Sequence, residues 1–175
     1  MRAQNLREFF PDRFKARLEA AKGIAAVFEV VVEAVQEREW VSRGGIMLGI
    51  AELGEVDNRV IGALHPTCTN FILLNRAALR KVHATDPALM NPFLFHVLMH
   101  EYLHTVGLGS EGETRKKVLE ITRPLLGDDH PATKMAEDIR QYFSFIVYPS
   151  RMPMPEGIEI ELVENVDLSG LSYFA

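Results

Sequence analysis

The residues most suited to chemistry in this 175-residue chain form one motif of the form H-E-x-x-H, which reads His100-Glu101-Tyr102-Leu103-His104. Two histidines four positions apart lie on one face of an α-helix, with Cβ atoms roughly 6 Å apart, so both imidazoles can reach one metal ion. Glu101 is rotated by about 100° from His100, which places its carboxylate beside the ion, where it can accept a proton from water. Zinc suits two neutral imidazoles and lowers the pKa of the water that it binds.

The motif lies within the most clearly delimited helix of the sequence. Asn91 is a good N-cap and Pro92 suits a first helical turn, so we predict a helix over residues 92–106, ended by a glycine. Ser110, with a glutamate three positions later, forms a capping box. We expect it to begin a second helix, over residues 110–126.

In these features the chain resembles the zincin metallopeptidases. The resemblance is carried by residues 100–113, HEYLHTVGLGSEGE, and by the order of elements over residues 46–126: a small sheet, the HExxH helix and a further helix. It implies that His100 and His104 are zinc ligands and that Glu101 is the general base of a hydrolase.

The third zinc ligand decides which zincins the chain resembles most closely. The pattern continues as H-E-x-x-H-x-x-G, but Ser110 stands where metzincins place a histidine or an aspartate, and serine is a poor zinc ligand. The resemblance is therefore closest to a minimal gluzincin, in which a glutamate from a following helix is the third ligand. It implies Glu113 as the first choice, with Glu120 and Glu111 as alternatives. A capping box also explains a glutamate at position 113 without any metal.

Apolar periodicity predicts the elements around this centre. We expect helices over residues 6–21 and 24–39, and β-strands over residues 46–53, 59–64 and 70–75. The first two strands are expected to form a hairpin. By the resemblance, the third is an edge strand that binds a substrate peptide by strand addition. The expected fold is α+β and zincin-like, with N-terminal helices and a small, mainly antiparallel sheet packed on the HExxH helix.

The composition changes at residue 149. Three prolines within seven residues predict an extended linker, and residues 156–168 then alternate apolar and acidic side chains with the period of a strand. We therefore predict a single zincin-like metallopeptidase domain over residues 1–148 and an acidic, strand-like C-terminal arm over residues 149–175. The linker-then-strand pattern also suggests that the arm covers the active-site face.

Charge and composition narrow the function classes. The formal net charge of -5 argues against nucleic-acid binding, which needs a basic face. A single cysteine, Cys68, excludes an intrachain disulfide framework and a Cys-rich zinc site. The sequence has no run of about 18 apolar residues and no signal-peptide pattern, so we expect a cytoplasmic protein without a membrane partner.

Four further side chains could contact a reacting carbonyl group. His65 or His130 could point into a cleft and stabilise an oxyanion, and Tyr142 or Tyr148 could donate a hydrogen bond to it. Each of them is also an ordinary residue for a core or a surface.

The function that follows is zinc-dependent hydrolysis of a peptide bond in a peptide or protein substrate, with Zn²⁺ as the cofactor and Glu101 as the general base. The alternative is a non-catalytic zinc-binding or interaction module with a structural metal. The coordination of this metal would be completed by protein ligands alone, with a fourth ligand such as Glu113 together with His96 or His130.

Overall fold

The computed structural model of the protein describes residues 12–164. The helices are α1 (Arg13–Ala20), α2 (Ile24–Glu39), α3 (Arg76–Thr85), α4 (Met90–Thr105), α5 (Glu111–Leu126) and α6 (Pro131–Asp138). The strands are β1 (Met47–Ala51), β2 (Val60–Ile61), β3 (Ala63–Leu64), β4 (Phe71–Asn75), β5 (Ile146–Val147) and β6 (Ile160–Leu162). Short 3-10 turns follow α3 at Pro87–Leu89 and α6 at Ile139–Gln141. The architecture is mixed α+β, as the sequence predicts.

The four-stranded sheet has the order β3-β4-β1-β6. Its longest pairing, β1 with β4, is parallel over five residues, from Met47 opposite Phe71 to Ala51 opposite Asn75. The outer pairings, β3 with β4 and β1 with β6, are antiparallel, while β2 and β5 form a separate parallel ribbon. The sheet is therefore mixed: the prediction of a mainly antiparallel sheet holds for the two outer pairings and fails for β1 with β4.

Two predictions about individual strands are also wrong. Residues 59–64 do not form a hairpin with β1, because they divide at Gly62 into β2 and β3, which pair with β5 and β4. Residues 70–75 form an interior strand, since β3 covers one side of β4 and β1 the other. The edge of the sheet nearest to the HExxH motif is thus β3.

Gly62 allows this edge to lie directly against α4. A Cβ atom at position 62 would lie 3.1 Å from Val97 Cγ1 and 3.2 Å from Phe93 Cζ, both on α4. Only glycine fits so close an approach without displacing its neighbours. The chain can therefore pass from β2 to β3 across the surface of the helix that carries the motif.

Helix α4 is the centre of the core. Thirteen of its sixteen residues are buried, and it packs against α2, α5, α6 and the β3–β4 edge. Its C-terminal turn is held by Arg43, whose backbone N–H donates to the Tyr102 hydroxyl and whose guanidinium donates to the Thr105 carbonyl. Because the helix is enclosed on all sides, its position and its rotation about its own axis are set by packing.

Helix boundaries agree with the predictions at several ends. Helix α2 spans the predicted residues 24–39, and α5 begins after Ser110, whose Oγ accepts from the Glu113 amide. Residues 6–11 of the first predicted helix lie outside the described residues. The predicted N-cap of α4 is wrong: Asn91 lies inside the helix, and its side-chain amide donates to the carbonyls of Leu18 and Ala21.

The C-terminal part of the described chain crosses the molecule. After β5 it runs through residues 148–159 to β6, which adds to the sheet beside β1, at the edge opposite to β3. The division at residue 149 stays a prediction. Within residues 12–164, no helix combines the length and the apolar character that crossing a lipid bilayer requires.

Candidate metal centre

The two histidines of the motif present their Nε2 atoms to the same point. His100 and His104 lie one turn apart on α4, with ring centroids 5.0 Å apart and Nε2 atoms 3.3 Å apart. Both side chains are nearly buried, with 1% and 8% of their surface exposed. The packing of α4 therefore sets their separation, as the i, i+4 spacing predicts.

Glu111, the first residue of α5, completes the group. Its Oε2 lies 2.9 Å from His100 Nε2, and its Oε1 lies 2.9 Å from His104 Nε2. One ligand atom from each residue lies within 4.8 Å of the other two, and the described part of the chain contains no other group of this kind. These three residues could hold a metal ion.

A tight turn between the helices brings Glu111 to the histidines. Gly107 has a φ of 119°, a conformation that favours glycine, and the Leu108 amide donates back to the Leu103 carbonyl. Ser110 then caps α5 through the Glu113 amide. The first residue of α5 is thereby folded back onto the last turn of α4.

In the structure Glu111 lies next to the two histidines, whereas Glu113, the preferred candidate for the third ligand, does not. Glu113 lies two residues further along α5, about 200° around the helix, and is exposed. Glu120 lies nine residues further, about 180° around and about 13 Å along the axis, where it pairs with Lys116 and Lys117. Neither belongs to the metal-ligating group.

A sequence signal could have ranked Glu111 first. Val118, Ile121 and Leu125 are apolar, and they follow Glu111 at intervals of seven, ten and fourteen residues. This is the spacing of one helix face, so Glu111 shares the face that α5 turns toward the core. Glu113 lies off that stripe.

Hydrogen bonding prepares His104 to act as a ligand. Its Nδ1 lies 2.7 Å from the Leu108 carbonyl oxygen, which can only accept, so Nδ1 carries the hydrogen. The Nε2 lone pair therefore faces the Glu111 carboxylate, and two such electron-rich groups 2.9 Å apart need a proton or a cation between them.

The distances within the group suit a small divalent ion. Tetrahedral bonds of about 2.1 Å place ligand atoms about 3.4 Å apart, close to the separations of 2.9, 2.9 and 3.3 Å found here. Imidazole nitrogen and carboxylate oxygen are ligands that zinc accepts, and other divalent ions accept them too. The geometry thus describes a group that could hold a metal ion, without identifying the metal.

His100 is enclosed by aromatic and cationic groups. The Tyr148 ring stacks on its imidazole, with centroids 4.7 Å apart and planes inclined by 29°. The Arg115 guanidinium carbon lies 4.1 Å from the centroid of the same Tyr148 ring. Burial lowers the pKa of His100, which favours the neutral form that a metal requires, and its Nδ1 has no hydrogen-bond partner among the residues described.

Glu101 lies beside the metal-binding group and outside it. Its carboxylate is buried, and its Oε2 accepts a hydrogen bond of 2.9 Å from the His65 backbone N–H. Burial raises the pKa of Glu101 to about 8, although the bond from His65 opposes the shift. With His104 and Glu111, Glu101 lines a cavity of about 120 Å³.

Two of the four additional candidates lie at this centre. His65 lines the cavity, and its Nδ1 lies 2.8 Å from the Phe71 carbonyl oxygen, so its Nε2 is an acceptor while the ring is neutral. The Tyr148 hydroxyl lies 2.7 Å from His96 Nε2. Burial lowers the pKa of His96 to about 3 and raises that of Tyr148 to about 12, so both are neutral near pH 7.

The other two candidates have structural surroundings. His130 caps α6, where its Nδ1 accepts from the Ala132 amide. Tyr142 packs against Phe143 of the core. Cys68, which sequence analysis left without a role, is exposed and lines the 120 Å³ cavity.

Comparisons with known proteins assign no family or function to the chain. No protein-family model matches the chain, and no curated protein or solved structure matches it. What the structure establishes is a His-His-Glu group, on an α+β scaffold, that could hold a metal ion.

Proposed function

We propose that the protein is a zinc-dependent peptidase of the HExxH type, closest to a minimal gluzincin. One observation carries this proposal: His100, His104 and Glu111 converge on one point, and the carboxylate of Glu101 lies next to that point without joining it. Two histidines and one glutamate are a ligand set found in catalytic zinc sites, which keep one coordination position open.

The chain's own residues would hold the ion and manage the proton. His100, His104 and Glu111 would supply the three ligand atoms. Bound there, zinc supplies Lewis acidity to a peptide carbonyl and lowers the pKa of water. Packing around α4 and the His104 bond to the Leu108 carbonyl keep two of the ligands oriented for this task.

Glu101 would act as the general base, because a cation held beside its carboxylate would lower its pKa from the value of about 8 that burial gives it. Its Oε2 is held by the His65 amide, which leaves Oε1 to accept a proton from the attacking water. The water oxygen bonds to the peptide carbon as the C–N bond breaks, and Oε1 returns the proton to the departing amine. The products are a carboxylic acid and an amine, so atoms and protons balance.

The rival function, a structural metal module, needs a fourth protein ligand. Its suggested ligands are elsewhere: His96 is bonded to Tyr148, His130 caps α6, and Glu113 is exposed. Among residues 12–164, three ligands form the group and no fourth joins it. This count favours an open, catalytic position over a closed, structural one.

The test compares zinc content and hydrolysis in untagged wild-type protein and the Glu101→Gln variant. We expect about one zinc per chain in both proteins, and hydrolysis of unfolded casein reduced by about 100-fold or more in the variant. Glu113→Gln, a matched change of an exposed carboxylate, should keep both properties.

Two results would contradict the proposal. Equal hydrolysis by Glu101→Gln and wild type would remove Glu101 as the base. Stoichiometric zinc without cleavage of casein or of a mixed peptide library would favour the structural-metal module.

A further inference from the structure

The polypeptide between β5 and β6 passes directly over the metal-binding group, fixed on both sides of it. On one side, β5 pairs with β2, and the Val60 amide donates to the Phe145 carbonyl at 2.9 Å. On the other side, the Thr67 amide donates to the Met152 carbonyl, also at 2.9 Å. Residues 148–151 span the gap between these anchors, and we call them the strap.

The strap fills the space in front of the ligands. Tyr148 stacks on His100, and the next three residues, 149–151, form one wall of the 120 Å³ cavity whose other walls include Glu101, His104 and Glu111. Tyr148 and Pro149 also pack against the side of His100 and Glu101, where the remaining space is about 10 Å³.

The cavity under the strap is too small for a peptide. Pockets for small ligands usually measure about 300–1,000 Å³, several times the 120 Å³ present here. The cavity lies between residues that follow β3 and the residues of α4 and α5 that carry His104 and Glu111. Residues 149–151 of the strap line it too, so the strap limits the space beside the ligands.

The strap is held less firmly than the strands on either side of it. In the part of the chain that the structure describes, no backbone hydrogen bond joins residues 148–151 to the β3 edge. Its contacts are the Tyr148 ring and hydroxyl, the Arg115 guanidinium on that ring and the anchor at Met152. Ser150 and Arg151 are exposed. Its outward movement therefore breaks side-chain contacts and one backbone hydrogen bond, but no strand pairing.

We propose that residues 148–151 are an autoinhibitory strap that occupies the place of a substrate peptide and must swing outward before a peptide can bind. The inference rests on the proposed peptidase function. It also changes the sequence-based expectation, because the acidic strand β6 binds the opposite edge of the sheet and the start of the linker, which carries no acidic residue, forms the cover.

A cross-link can hold the strap closed. Cys68 and Ser150 are both exposed and line the same cavity, and Cys68 is the only cysteine of the chain. In a Ser150→Cys variant, a short bis-maleimide would join the two thiols across the cavity. The matched control is the same variant treated with N-ethylmaleimide, which caps both thiols without joining them.

Two readouts report opening without relying on catalysis. One is the rate at which EDTA extracts zinc, and the other is hydrogen exchange of the Thr67 amide in the metal-free protein. We expect the cross-link to slow both by about tenfold or more relative to the capped control, because each requires the strap to move away. The Asn75 amide, bonded to the Gly62 carbonyl in the sheet, should exchange equally in both forms.

The results separate this inference from the proposed function. Unchanged Thr67 exchange and zinc extraction after cross-linking would overturn the strap. Equal casein hydrolysis by cross-linked and capped protein would overturn it too, while supporting the peptidase. If zinc-loaded wild-type protein without any thiol adduct cuts no casein, the peptidase proposal fails, and the two rates, which need no catalysis, still decide on the strap.

Discussion

The metal-binding group draws its ligands from two regions that are built in different ways. His100 and His104 belong to α4, which is enclosed by helices and the sheet edge, and their side chains are almost fully buried. Glu111 stands at the start of α5, after a turn closed by glycine, with 34% of its side chain exposed. One region is fixed by the core, and the other by a single cap and a turn.

The difference indicates how the centre is assembled. Moving a histidine of α4 would require repacking of the core, so the two imidazoles keep their separation with or without a metal. Glu111 can move through its own side-chain torsions, at much lower cost. We therefore interpret the helix as a preset half-site and the turn as the part that adjusts to the ion.

The largest effect is expected on zinc content, from removal of the two histidines of α4. The His100→Ala, His104→Ala double variant should lose bound zinc, from about one per chain to background, because residues 12–164 contain no other group of three ligand residues. Elemental analysis after dialysis measures it, with circular dichroism to check the fold. Full zinc content in a folded double variant would show that the metal binds elsewhere.

The next largest effect is expected on zinc affinity, from a change of Glu111 at the start of α5. Glu111→Gln should weaken zinc binding on the order of 100-fold, because a neutral amide replaces the only charged ligand of the group. Competition with a chelating dye measures the affinity.

Glu113→Gln serves as the matched control, since it makes the same change two residues away on the exposed side of α5. We expect its zinc affinity to equal that of wild type. Weaker binding in Glu113→Gln than in Glu111→Gln would restore Glu113 as the ligand and contradict the geometry.

A smaller effect tests the burial of His96 in α4. Burial lowers the pKa of His96 to about 3, against about 6.5 in an unfolded chain. Below pH 6.5 the unfolded chain binds a proton that the folded protein does not. The free energy of unfolding therefore decreases as the pH is lowered. Between pH 7 and pH 5 this loss is about 2 kcal/mol.

A His96→Gln variant removes that source of pH dependence. It should be less stable at pH 7, because it loses the contact with Tyr148, but its stability should fall by about 2 kcal/mol less than that of wild type between pH 7 and pH 5. Urea unfolding of metal-free protein at the two pH values measures both quantities. Identical pH dependence would show that His96 is protonated in the folded state.

Local sequence patterns predict much of α4 and its surroundings. The i, i+4 spacing brings His100 and His104 together, the predicted helix at residues 24–39 matches α2, and Ser110 caps α5. Each of these depends on contacts within a few residues along the chain, so the physical causes are visible in the sequence.

Long-range pairing explains what could not be predicted. The partners of β1 are β4 and β6, and Gly49 lies opposite Leu162, 113 residues further along the chain. Spacing within one segment carries no information about such partners, so the hairpin and the edge strand were assigned wrongly. Tyr148 reaches His100 by the same kind of distant pairing, through β2 and β5.

The separation along the chain between the strap and the ligands has a consequence for biosynthesis. His100, His104 and Glu111 lie within 12 consecutive residues, whereas the strap begins 37 residues after Glu111 (148 − 111 = 37) and closes against residues 60–67. At ribosomal speeds of about 5–20 residues per second, the strap is made roughly 2–7 s after the last ligand. Closing so long a loop is also slower than forming the α4–α5 turn. If the proposed metal site and strap are correct, a nascent chain contains its three ligand residues before the residues that cover them, so metal uptake would be least obstructed during synthesis.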